Sequence, residues 1–146
     1  MKAVSLVLLA GAAVGLAVPA VNGQSTGTPS LRAGAYTEEQ AIRGQTLYNE
    51  RCWQCHGETL AGLDQAPPLA GPQFGSNWQG EPLAALVVRI GTMPPEQPGS
   101  LSRQESVDLL SYILWYNGLP AGGEPLAAEQ GMLAKILFDS PVLSGR

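Results

Sequence analysis

The chain has 146 residues, of which 18 are Gly and 12 are Pro, and only 14% are charged. Its length suits one domain once the ends are set aside, and that much Gly and Pro excludes a sheet or a regular helical bundle in favour of short helices joined by loops. With 8 basic against 12 acidic residues and no basic cluster, nothing supports nucleic-acid binding electrostatically.

Taken from the start, Lys2 precedes the uncharged apolar run from Ala3 to Val18, which ends in the small-residue pattern Val18-Pro19-Ala20. This pattern predicts a signal peptide over residues 1–23, cleaved after about residue 20 or 23. A membrane anchor is the competing reading, but the run is short for a span of about 20 residues. Export would remove Lys2 and leave 7 basic against 12 acidic residues, a net charge of −5, with Lys135 the only lysine. Residues 24–36 are small, polar and Gly/Pro-containing, and predict a flexible linker.

Thr37 and Gln40 form a capping-box pattern that opens a helix over about Glu38–Arg51. Ala41, Gly44, Leu47 and Tyr48 share one face of it. The stretch Gly57–Gly80 reads as mostly loop. That is long for a compact domain unless it wraps a cofactor. A short helix follows Pro82, with Leu83, Leu86, Val87 and Ile90 as its apolar face, and Gly91 ends it. Ser102 and Glu105 form a second capping box, opening a helix that runs to about Asn117, where Gly118 and Pro120 stop it. Leu109, Tyr112, Ile113 and Tyr116 make its stripe. Residues 121–146 read as an extension with one amphipathic helix carrying Leu126, Leu133, Ile136 and Leu137, suited to covering the domain or docking on a partner.

The chemistry concentrates in Cys52-Trp53-Gln54-Cys55-His56, which holds both cysteines and the single histidine. A Cys-x-x-Cys pair serves a redox dithiol, half a zinc site or haem attachment, and haem attachment alone calls for His directly after the second Cys. A structural zinc site wants four ligands, and the chain has no further Cys or His. A thioredoxin-like dithiol belongs at a strand-to-helix junction, and no strand alternation flanks the motif. Haem attachment fits: two thioethers pin the macrocycle, and the adjacent imidazole of His56 reaches the iron. A covalent haem would also supply an apolar body for short helices to pack on.

The opposite face of the iron then takes a second ligand or stays open to water. Met93 lies 37 residues beyond His56, in Gly91-Thr92-Met93-Pro94-Pro95, where prolines would hold its thioether in one direction. Met132, in the C-terminal amphipathic stretch, reads instead as a gap-filling apolar residue. His/Met ligation favours electron transfer over oxygen or peroxide chemistry.

In this order of motifs, helix, Cys52-x-x-Cys55-His56, Pro-Pro-Leu loop, helix, Met93 loop and terminal helix, residues 37–120 resemble the class I cytochrome c family. The resemblance implies an all-α fold with short helices and long loops wrapped around one covalent haem c per chain. It implies that Pro67 offers its carbonyl to the His56 ring N–H, that Leu69 packs on the haem, and that Gly44 and Tyr48 cross the last helix at Leu109 and Tyr112. It also gives Trp78 a propionate to bond, a core position being the other role for that side chain. The function it implies is one-electron transfer between redox partner proteins, with His56 and Met93 on the iron and no substrate of its own. The alternative is a cytochrome subunit of a periplasmic or membrane-bound dehydrogenase or oxidase complex. Such a protein would be exported to the periplasm, soluble or loosely membrane-associated. Docking through lysines around the haem edge, common in that family, is closed to an exported chain left with Lys135 alone.

Overall fold

The computed structural model describes residues 30–64 and 66–141, so the leader expected over 1–23 and residues 24–29 of the expected linker lie outside it. Among the described residues the architecture is all-α. The helices are α1 (Glu38–Arg51), α2 (Trp53–His56), α3 (Gly71–Trp78), α4 (Leu83–Gly91), α5 (Arg103–Tyr116) and α6 (Gln130–Leu133), with one 3₁₀ turn at Leu31–Ala33 before them.

Both capping boxes form. The Gln40 N–H donates to Thr37 Oγ1 at 3.4 Å, and the Thr37 N–H donates back to Gln40 Oε1 at 3.3 Å. At α5 the Ser102 N–H donates to Glu105 Oε2 at 2.7 Å, and the Glu105 N–H to Ser102 Oγ at 3.2 Å. Each cap satisfies donors the helix cannot satisfy itself, worth about 1 kcal/mol.

Helix α5 is the centre of the molecule and packs against α1 and α4. The crossing with α1 is close because of Gly44: a Cβ there would lie 1.9 Å from the Asp108 carbonyl oxygen. Tyr48 and Tyr112 meet at the same crossing with ring centroids 5.4 Å apart. Arg43 closes its rim with a two-pronged ion pair to Asp108, at 2.8 and 2.9 Å. These contacts realise the crossing expected at Gly44, Tyr48 and Tyr112. The apolar stripe of α5 is wider than its periodicity implies. Every residue from Ser106 to Leu114 is buried, while Tyr116, counted in the expected stripe, is 38% exposed.

Three expectations need correcting. Residues 31–36, expected within a flexible linker, are packed: Leu31, Ala35 and Tyr36 are buried. The Tyr36 hydroxyl donates to the Leu119 carbonyl at 2.6 Å, and the Gly122 N–H donates to the Tyr36 carbonyl at 2.7 Å. Small and polar composition misled here because Gly34 is used for close approach, its α-carbon region touching Gly122. The stretch 57–80 also contains α3, built on Pro72 in its first turn and on Phe74 and Trp78 one turn apart. Gly, Ser and Asn obscured that helix.

The C-terminal extension is a strap more than a helix. Among its described residues, Gln130–Leu133 alone is helical, and an isolated bridge pairs Pro82 with Leu137. Leu126, Leu133, Ile136 and Phe138 are buried in the same core as the helices. The strap begins at Leu126, whose backbone N–H and carbonyl both bond to the buried Gln40 amide, at 2.7 and 3.0 Å. It ends with Phe138 edge-on to Phe74, centroids 5.4 Å apart. Of the two roles open to this segment, covering the domain is the one its backbone adopts.

A candidate haem site

The motif sits where α1 ends. Cys52 leaves helical geometry at φ −122° and ψ −34°, and its carbonyl accepts from the N–H groups of both Cys55 and His56. This turn makes α2, which Gly57 stops at φ 75°. The Tyr48 hydroxyl donates to the Gly57 carbonyl at 2.6 Å, tying the end of the motif back to α1.

His56 is buried, and its Nδ1 lies 2.9 Å from the Pro67 carbonyl oxygen. A carbonyl only accepts, so Nδ1 carries the proton, and Nε2 keeps its lone pair for a metal. This is the contact expected of Pro67. The loop that supplies it is fixed by the Leu69 N–H, which donates to the Leu60 carbonyl at 2.8 Å.

A cavity of about 250 Å³ opens beside the motif. Cys52, Cys55, His56, Pro67, Leu69, Trp78 and Met93, the residues expected around the haem, all line it. Met132 does not. It is 42% exposed on α6, neither in the cavity nor filling a core gap.

The lining is mostly apolar, with Leu86, Ile90, Leu109 and Ile113 presented by α4 and α5. Sequence reading missed three polar members, Arg51, Asn77 and Arg89. Nothing in their own spacing marks them, because each reaches the cavity from a different helix. Phe74 was missed with its helix. It is 1% exposed, lines the cavity wall and contacts Trp78 at a centroid distance of 6.4 Å.

Burial pushes the Cys52 thiol up to about 11. An attacking thiol of a redox dithiol needs the opposite shift, so the motif is poorly suited to disulfide exchange. Among the described residues, no group of three or more His, Cys, Asp and Glu side chains is gathered as a metal cage. The donors suit a haem instead. Cys52, Cys55, the imidazole held by Pro67 and the Met93 thioether share one mostly apolar lining.

Fold and site together define a c-type cytochrome domain. The family model described as "Cytochrome C oxidase, cbb3-type, subunit III" matches residues 39–113, about half of the chain, and the chain belongs to that family. Its members carry covalently bound haem c with iron and transfer electrons through it. No curated protein and no solved structure matches the chain.

Proposed function

We propose that this chain is a one-electron carrier. Its haem is attached through Cys52 and Cys55, and its iron is held between His56 Nε2 and the Met93 thioether. The observation that carries the reading is the single apolar cavity shared by Cys52, Cys55, His56 and Met93, with His56 already held by Pro67 in the tautomer that ligates. When bound, the haem supplies reversible one-electron chemistry at its iron.

The chain's own work is binding, orientation and exclusion of water. The Pro67 carbonyl draws on the Nδ1 proton, which makes Nε2 a stronger donor and favours the ferric state. Met93 counters this as a weak, polarisable ligand that raises the potential. With His56 and Met93 both holding the iron, small molecules would have no open coordination site. Electron transfer without a substrate of its own follows from that. Leu69 and Trp78 complete the walls, and Trp78 offers an indole N–H to a propionate. Arg51 and Arg89 bring positive charge to the same cavity.

The domain is read as exported, with the leader over residues 1–23 removed, and as working in the periplasm. No helix among the described residues is long and apolar enough to cross a membrane. A second reading is favoured by the family's description: the chain serves as the cytochrome subunit of a larger oxidase or dehydrogenase.

A redox titration of the wild type and Met93→Ala tests the ligation. Loss of the sulfur-to-iron band, a lower potential and new carbon monoxide binding are expected for the variant. An unchanged spectrum would remove Met93 from the iron. Native size exclusion separates the carrier from the subunit reading: a free haem protein of this chain's mass supports the first, and co-migration with an oxidase supports the second.

A further inference from the structure

The loop that orients His56 is itself held from the far end of α5. Asn117 is the residue that caps α5, and its half-buried amide makes three bonds. Nδ2 donates to the Leu69 carbonyl at 2.9 Å and to the Ile113 carbonyl at 2.8 Å. Oδ1 accepts from the Gly71 N–H at 3.0 Å. The orientation of the amide is fixed by chemistry, because the reversed one would face two carbonyls with oxygen and an N–H with NH₂. Both amide protons are used, and so is the oxygen.

Two of the bonds leave α5, to Gly71 and Leu69, while the Ile113 carbonyl also accepts from the Asn117 backbone N–H at 3.1 Å. Ile113 O belongs to the last turn of α5. Gly71 N opens α3, whose N-cap Ala70 has no side chain to offer. Leu69 O lies two residues from the Pro67 carbonyl that holds His56. Asn117 therefore clamps both flanks of Ala70 and joins the Pro67-Pro68-Leu69 loop to the rigid central helix.

From this we infer that Asn117 is a positioning residue for the iron: it holds the Pro67 carbonyl on the His56 ring N–H, and so sets the donor strength of the imidazole. The inference rests on His56 ligation as read above. Physically, the His56 bond is made by a backbone oxygen, which has no rotamer of its own. Its distance is only as constant as the loop carrying it. Backbone bonds from Ala66 to Leu63 and from Leu69 to Leu60 tie that loop to the chain just before it, and Asn117 ties it to the central helix α5.

Releasing the clamp lets the Pro67 carbonyl drift. The Nδ1–H bond then weakens, the imidazole donates less to the iron, and the ferric state loses stabilisation relative to the ferrous. The reduction potential should rise. A residue that only stabilised the fold would not produce that shift.

The test uses full-length haem-loaded protein as wild type, Asn117→Ala and Asn117→Ser, with Thr37→Ala as a control that removes a cap remote from the cavity. Haem content by pyridine haemochrome, midpoint potential and hydrogen exchange of His56 Nδ1–H by NMR are measured on each. Both Asn117 variants are expected to retain haem, to show an upward shift in potential, and to exchange the Nδ1 proton at least tenfold faster. Thr37→Ala should lower the melting temperature with neither change. If the Asn117 variants melt lower while potential and exchange match wild type, Asn117 is merely structural and the inference fails. A wild type without thioether-bound haem would overturn the ligation reading along with it. A haem-loaded wild type with unmoved variants overturns this inference alone.

Discussion

At the scale of single residues, Gly44 has the tightest surroundings of the described glycines. Any side chain there must push α1 away from the Asp108 carbonyl, and backbone cannot yield as a flexible side chain does. Gly44→Ala is expected to destabilise the protein by about 1–3 kcal/mol through overpacking, read as a lower midpoint in denaturant titration. The cysteines, His56 and Met93, which share one cavity, stood out in the sequence because the chemistry proposed for them calls for a fixed spacing or a particular residue type. Asn117 was not, since it appeared only as the last residue of a helix. Its role depends on which loop the fold brings beneath it. Tyr36 was hidden likewise, inside a segment whose composition suggested a tether. Burial pushes its phenol up to about 12. A folded-state pKa above the unfolded value near 10 means that its contribution is intact below pH 10 and is lost as pH rises toward 12. Tyr36→Phe should therefore flatten part of the alkaline fall in stability, measured by denaturant titration between pH 9 and about 12.

At the scale of elements, α1, α4 and α5 were readable because each combines a start signal, an apolar period and a stop. Their bounds match the expected ones within a residue or two. α3 was not readable, because a helix of eight residues with two glycines, a serine and an asparagine has little propensity and relies on Phe74 and Trp78 for anchorage. The strap was half readable. Its leucines were seen, but their spacing was assigned to a helix, whereas tertiary bonds to Gln40 and Glu81 hold most of it extended. The strap also props the cavity: Phe138 supports Phe74, and Phe74 forms part of the wall. Phe138→Ala is expected to cost about 3–5 kcal/mol, as for other large core truncations, with a matching drop in melting temperature. Gln40→Ala removes both partners of Leu126 at once and leaves its buried polar groups unsatisfied. The expected loss is about 1–3 kcal/mol, measured by thermal unfolding. At α5, the Ser102 backbone and side-chain bonds hold the Glu105 carboxylate below its ordinary range. Its contribution is present above the unfolded pKa and fades as pH falls through the lower folded one.

At the scale of the whole molecule, the sparing use of charge and the abundance of Gly and Pro make sense once a large apolar cofactor is part of the core. Helices of 14, 8, 9 and 14 residues supply walls, and the segments between them bring His56, Met93 and the Pro67 carbonyl to the same cavity. The account rests on attachment of one haem through Cys52 and Cys55. The most direct measurement is a pyridine haemochrome spectrum, with intact mass, of protein matured in a host that attaches haem and then extracted with acidified acetone. One haem per chain that survives extraction is predicted, and it should be lost in Cys52→Ala/Cys55→Ala. Haem that extracts freely, or a mass with no haem added, would contradict the account.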